Sequence, residues 1–232
     1  MDYDVYNREE RYLCSHLFRL LHEPVQSYRA LSEFLKRPVH QGSFRIYAEA
    51  ALIRDAYYAR KHARKPLVSH VLDDMVRLLM QQESVSECRL YSELPEELSN
   101  KSKTHPKQIR QKAGNLLTPE EDRVFGVMQG MFNAKPDLVV CIDEELLIYE
   151  AKFTLDFDLE QMKLTENIGK IWAALFYADL GYTKPPKVTV LKLGLAKFSP
   201  DISWEDVARI SANIYPDNDR TRIAIENACS II

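Results

Sequence analysis

Residues 135–152, KPDLVVCIDEELLIYEAK, hold two short apolar runs on either side of a polar break formed by Asp143, Glu144 and Glu145. The runs are residues 137–142 (DLVVCI) and 146–153 (LLIYEAKF), and both are rich in β-branched or aromatic side chains. Runs this short, flanking an acidic break, read as neighbouring strands of a hairpin. Side chains alternate along a strand, so Glu150 and Lys152 project from one face while Ala151 points away. Asp137 opens the first strand, and the length of the loop decides its face. A turn at Glu144 and Glu145, or a four-residue loop over 143–146, sets Asp137 across from Lys152 on the same face. An odd loop sends it to the other face unless a bulge restores the register.

The rest of the chain supplies helices for this hairpin to pack on. In residues 7–22 the apolar positions Leu13, Cys14, Leu17, Phe18, Leu20 and Leu21 follow a helical period, and Pro24 stops the run. A short helix is expected over 27–35, a longer one over about 45–64, and a third from Pro66 through Leu79. Residues 88–94, CRLYSEL, read as a first strand ended by Pro95. Residues 100–115 are polar and basic and fit a loop with one helix. Thr118, Pro119, Glu120 and Glu121 form a good helix start, with an N-cap, a proline at the first position and acidic groups at the positive end of the dipole. That helix should reach about Phe132. A strong amphipathic helix is expected over 159–178, with Leu164, Ile168, Ile171, Trp172 and Leu175 on one face and Gly181 beyond its end. Residues 187–193 alternate as a strand, and 204–214 and 220–231 close the chain as helices. The core order is helix, strand, strand, strand, helix, strand, which defines an α/β domain with helices packed on a small mixed sheet.

Composition narrows the function classes. The net charge is −3, which argues against a protein coated in positive charge but leaves a local basic groove open. The cysteines, Cys14, Cys88, Cys141 and Cys229, are too far apart in sequence for any common zinc spacing. Cys14 and Cys141 sit in apolar patterns and read as buried small hydrophobes. The six histidines form no HExxH pair, and there is no GxxxxGK[ST] loop for a nucleotide phosphate. No apolar run reaches the roughly eighteen residues of a membrane span. Residues 1–10 are polar and carry no secretory pattern, so the expected location is the cytoplasm.

Asp137, Glu150 and Lys152 on one face have a chemical use. Two carboxylates bind a hard cation through oxygen and leave positions for water and phosphate. The cation polarises the phosphate and acidifies its water, and an ammonium group holds the attacking water or neutralises developing charge. The backbone carbonyl of Ala151, on the same strand, is a further oxygen ligand. The pattern Pro136-Asp137, then Glu150-Ala151-Lys152 on the next strand, resembles the PD-(D/E)XK nuclease superfamily, and the likeness extends over about 136–193.

The resemblance implies a restriction-endonuclease-like fold with a Mg²⁺ or Mn²⁺ site. It implies a single nuclease domain over 1–232, with a helical insertion at about 24–86 and a basic loop and helix at about 96–132. The catalytic core would be about 133–195, followed by C-terminal helices at 202–231. Many members carry a glutamate on the first helix. Glu10 matches, as a further metal ligand beside Asp137, Glu150 and the Ala151 carbonyl, because it shares the inward face of Leu13 and Leu17, with Glu49 and Glu93 as fallbacks. Some members carry a helical glutamine after the Glu-x-Lys strand, near the scissile phosphate, and Gln161 matches in place. The implied substrate is DNA in preference to RNA, with a role in bacterial defence, restriction or repair. Double-strand cutting would favour a homodimer. The alternative is a binding or scaffolding module of the same fold, without turnover or activated by a partner protein. Phosphate contacts are expected from Lys101, Lys103, Lys107, Arg110 and Lys112, and a second basic cluster includes Arg54, Arg60, Lys61, Arg64 and Lys65. Tyr57, Tyr58 and Tyr47 lie nearby, and core packing is the expected use of these rings rather than base stacking.

Overall fold

The computed structural model describes residues 10–22, 26–62, 68–95, 98, 106–113, 116–153, 156–216 and 220–230, with the backbone alone at 61–62, 68–69, 106–108 and 180. Among the described residues the helices are α1 (Glu10–His22), α2 (Ser27–Leu35), α3 (Leu52–His62), α4 (Val68–Gln82), α5 (Pro106–Ala113), α6 (Pro119–Asn133), α7 (Leu159–Phe176), α8 (Trp204–Ile214) and α9 (Arg220–Cys229). The strands are β1 (Phe44–Ala48), β2 (Leu138–Ile142), β3 (Glu145–Ala151), β4 (Lys187–Gly194) and β5 (Ile202–Ser203). The chain divides into two compact units. One comprises Met1–Ala50, Pro136–Glu166 and Pro186–Ile232; the other comprises Ala51–Lys135 and Asn167–Pro185.

The first unit is mixed α/β, a five-stranded sheet flanked by helices, with the strands in the order β1-β2-β3-β4-β5. β1, β2 and β3 pair antiparallel, whereas β4 runs parallel to β3 and β5 parallel to β4. A parallel neighbour cannot follow through a hairpin, and α7 lies in the crossover between β3 and β4. One sheet face carries Leu138, Val140, Ile142, Leu147, Tyr149 and Ala151 into a core with Leu13, Leu17 and Leu21 of α1, Phe34 of α2, Val207 and Ile210 of α8 and Ile225 of α9. The opposite face of β2 and β3 is buried as well, at Val139, Cys141, Leu146, Ile148 and Glu150. A sheet covered on both faces accounts for the nearly continuous apolar runs of β2 and β3.

Two expectations are corrected. Residues 45–48, taken into a helix by their merger with the following Ala- and Tyr-rich run, belong to β1. Phe44, Ile46 and Ala48 pair with Ile142, Val140 and Leu138, which places Ile46 over the core. Glu49, at φ 47°, then turns the chain out of the strand before α3 begins. Residues 88–94 are not a strand. Carboxylates take the N–H groups that a ladder would use: Arg89 N–H donates to Glu121 (3.2 Å), Leu90 N–H to Glu93 (2.8 Å) and Ser92 N–H to Asp73 (2.9 Å). A single 3₁₀ turn, Tyr91–Glu93, is what remains. The expected order helix, strand, strand, strand, helix, strand is met with β1 as its first strand and is extended by a fifth strand, β5, so residues 24–86 hold part of the sheet as well as helices.

In the second unit α3, α4 and α5 make contacts with α6. Thr118 caps α6 as its sequence indicates, accepting the Glu121 N–H (3.2 Å) while the Glu121 carboxylate accepts the Thr118 N–H (2.9 Å). Tyr57 is buried against the Phe132 ring, with centroids 5.4 Å apart, so its ring is spent on packing. Among the described residues no helix is long and apolar enough to cross a membrane.

Candidate metal centre

The hairpin that carries the site turns over two residues, Asp143 and Glu144, because Ile142 pairs with Glu145. Asp143 adopts φ 51°, a left-handed conformation that aspartate accepts more readily than most residues. The turn sits one residue earlier than expected, and such a shift moves each cross-strand partner by two. Asp137, one residue before β2, therefore continues the register opposite Glu150 and not Lys152. A shift of two preserves the face, so Asp137, Glu150 and Lys152 all project from the same side of the sheet.

The register also gives Pro136 a role. Hydrogen-bonded pairs alternate along an antiparallel ladder, and a two-residue turn makes Ile142 and Glu145 such a pair. Counting back by twos reaches Pro136 opposite Ala151. An ordinary residue there would donate its N–H to the Ala151 carbonyl, but proline has none to give. The Ala151 N–H is taken instead by the Asp137 carboxylate at 2.8 Å. The neighbouring pair obeys the same alternation, with Glu49 N–H donating to the Asp137 carbonyl at 3.1 Å. The motif thus ties the aspartate to the strand and removes the ladder donor from the carbonyl expected to act as a ligand.

Glu150 is 4% exposed, and both of its oxygens are held from α7. Thr165 Oγ1 donates to Oε1 at 2.5 Å, and Gln161 Nε2 donates to Oε2 at 2.9 Å. Burial pushes its carboxyl up to about 7, opposed by the Thr165 hydrogen bond, reinforced by the Asp137 charge and opposed again by Lys152 and Gln161. Asp137 is also raised. Burial is the main cause, the Ala151 N–H and Lys152 pull it back, and Glu10 and Glu49 push it further. The Lys152 backbone is fixed at both ends: its N–H donates to the Leu193 carbonyl at 2.8 Å and its carbonyl accepts from Trp204 Nε1 at 3.0 Å. Its ammonium lies 4.0 Å from Glu10, and Glu10 also accepts the Phe153 N–H at 3.2 Å.

The structure therefore brings Asp137, Glu150, Ala151, Lys152, Gln161 and Glu10 together in the first unit. Glu49 borders them, 3.9 Å from Arg11 and bound through its N–H to Asp137. Glu93 belongs to the second unit, where its carboxylate closes the 3₁₀ turn on Leu90. Cys14 packs beside the carboxylates. Burial and then the charges of Asp137, Glu10, Glu49 and Glu150 push its thiol well up, which keeps it from acting as a nucleophile.

The basic residues are less available. Lys101 and Lys103 lie outside the described residues, as does the side chain of Lys107. Arg110 is paired to Asp122 through two bonds, at 2.7 and 2.9 Å, while Lys112 is exposed. In the other cluster Arg54 pairs with Asp55 and Arg60 with Asp179. Two contributors to the site escaped the sequence reading, Thr165 and Trp204. The available signal for Thr165 was its spacing, four residues after Gln161 and hence on the same helical face.

Comparison with known protein families, with curated proteins and with solved structures yields no match for this chain. Among the described residues no group of three or more His, Cys, Asp or Glu side chains is arranged to hold a metal. The donors at the sheet are two carboxylates and a strand carbonyl, all hard oxygen. Mg²⁺ in proteins typically takes one or two carboxylates and keeps several waters. The donor set fits Mg²⁺ or Mn²⁺ and lacks the thiolate and imidazole ligands that zinc prefers.

Proposed function

We propose that this chain is a divalent-metal-dependent nuclease of the PD-(D/E)XK, restriction-endonuclease-like type, hydrolysing phosphodiester bonds. The observation that carries the reading is the position of two carboxylates, the half-buried Asp137 and the buried Glu150, on one face of the hairpin, with Lys152 next along that face. Carboxylates raised by burial and by neighbouring negative charge are costly to keep ionised, and a bound cation would offset that cost.

Asp137 and Glu150 would hold Mg²⁺ or Mn²⁺, with the Ala151 carbonyl as a third oxygen. The bound cation would supply the positive charge that polarises a phosphate oxygen and acidifies water. Lys152, 17% exposed and anchored through its backbone, presents an ammonium that can hold the attacking water or meet charge developing on the phosphate. Glu10 orients that ammonium from α1. Gln161 has an amide that can serve Glu150 or a phosphate oxygen. DNA as the substrate, a role in defence or restriction, and a dimer for double-strand cutting rest on the resemblance.

The test is a cleavage assay on plasmid, linear duplex, single-stranded DNA and RNA, with Mg²⁺ or Mn²⁺ and with EDTA. The expected result is metal-dependent cutting of DNA that EDTA abolishes. Cutting of RNA alone would reassign the substrate. A folded protein that cuts none of the four and binds no metal would overturn the enzyme reading in favour of a binding module or a nuclease awaiting a partner.

A further inference from the structure

Both Glu150 oxygens are occupied from α7, but the two donors differ in kind. A carboxylate offers about four lone-pair sites, and α7 fills one on each oxygen. The remaining sites are left for a cation. Gln161 reaches Oε2 through a long, rotatable side chain and is half-buried. Thr165 is 4% exposed and carries its hydroxyl directly on Cβ, behind a single rotatable bond. Its hydroxyl reaches Oε1 from a fixed point one helical turn beyond Gln161. Gln161 can swing its amide from Glu150 to a ligand, whereas the short, buried side chain of Thr165 has no such reach.

We infer that Thr165 is a positioning residue of the metal centre, setting the plane of the Glu150 carboxylate so that its free lone pairs meet the cation. The inference rests on the metal-centre reading above. Gln161 is then released to serve the substrate, since the hydroxyl alone keeps Glu150 in place. Loss of the hydroxyl leaves Oε1 buried without that donor and lets the carboxylate rotate, which weakens cation binding before any chemistry occurs. Groups that orient a metal ligand typically contribute about 10- to 100-fold in affinity.

The experiment is direct Mn²⁺ binding to the full chain without nucleic acid, read from the paramagnetic resonance of free Mn²⁺. It compares wild type, Thr165→Val, Thr165→Ser and Glu150→Gln, each checked for folding by circular dichroism. The expected result is at least about tenfold weaker binding by Thr165→Val, recovery by Thr165→Ser and severe loss by Glu150→Gln. A role in packing alone would not be restored by serine, which keeps the hydroxyl and drops the methyl. Equal affinity of wild type and Thr165→Val, with Glu150→Gln still deficient, would overturn the positioning role and leave the metal centre standing. Absence of Mn²⁺ binding by wild type would overturn the metal centre, and this inference with it. Should Thr165→Val fail to fold, Thr165→Ala against Thr165→Ser carries the same comparison, and equal affinities overturn the role.

Discussion

Glu150 concentrates the cost of the site. Its carboxyl is raised by burial from an ordinary 4.5 to about 7, so the folded state holds the proton more tightly than the unfolded chain does. Below pH 4.5 the group is protonated in both states and costs nothing. As pH rises from 4.5 to 7 the unfolded chain ionises first, stability falls, and above 7 the full cost, up to about 3 kcal/mol, is present. Glu150→Gln removes that titration. In metal-free protein it should melt above wild type at pH 8, with the gap closing by pH 5, as thermal unfolding at the two pH values would report. An equal gap at both would mean that the carboxylate is not held against its ionisation. The residues of this site were unevenly legible in sequence. Asp137, Glu150 and Lys152 follow from the two-residue period of strands, which fixes a face without coordinates. Thr165 shares a helical face with Gln161 by its spacing, but only docking of the helix shows that this face meets the Glu150 carboxylate.

At the level of elements, the hairpin turn sets the centre, and its position is the detail the sequence left open. Three consecutive acidic residues allow turns one residue apart, and the left-handed φ of Asp143 selects among them. Asp143→Val, which puts a β-branched side chain at φ 51°, should cost about 1–2 kcal/mol in denaturant unfolding, whereas Asp143→Gly should stay within about 1 kcal/mol of wild type. Equal effects would place the turn elsewhere. β1 was missed because five residues of alternating pattern run into a helical segment, and only pairing with β2 makes them a strand. Ile46, 8% exposed on the core face, should cost about 2–4 kcal/mol when cut to alanine. A loss below about 0.5 kcal/mol would speak against β1 as part of the sheet. Residues 88–94 failed in the opposite sense. Their apolar and aromatic content fits a strand, but Glu121, Glu93 and Asp73 capture the N–H groups from positions no local pattern reveals. Helices with explicit caps and stripes, such as α6 and α7, were read to within a few residues, because their signals are local.

On the scale of the molecule, the candidate centre lies within one of the two compact units and is assembled from segments far apart in the chain. Glu10 comes from α1, Asp137 and Glu150 from the hairpin, Gln161 and Thr165 from α7, and Trp204 from α8. A ligand that binds only the folded assembly stabilises it by mass action. Millimolar Mg²⁺ should therefore raise the melting temperature of wild type at pH 8 and leave Glu150→Gln unmoved. The central claim is that Asp137 and Glu150 share a cation that supports phosphodiester hydrolysis. Its most direct test is the rate of plasmid cleavage in Mg²⁺ by wild type beside Glu150→Gln. The account predicts cleavage by wild type that EDTA abolishes, and a rate lower by about 100-fold or more in a variant that remains folded. Equal rates for the two proteins, or cutting that persists in EDTA, would contradict it.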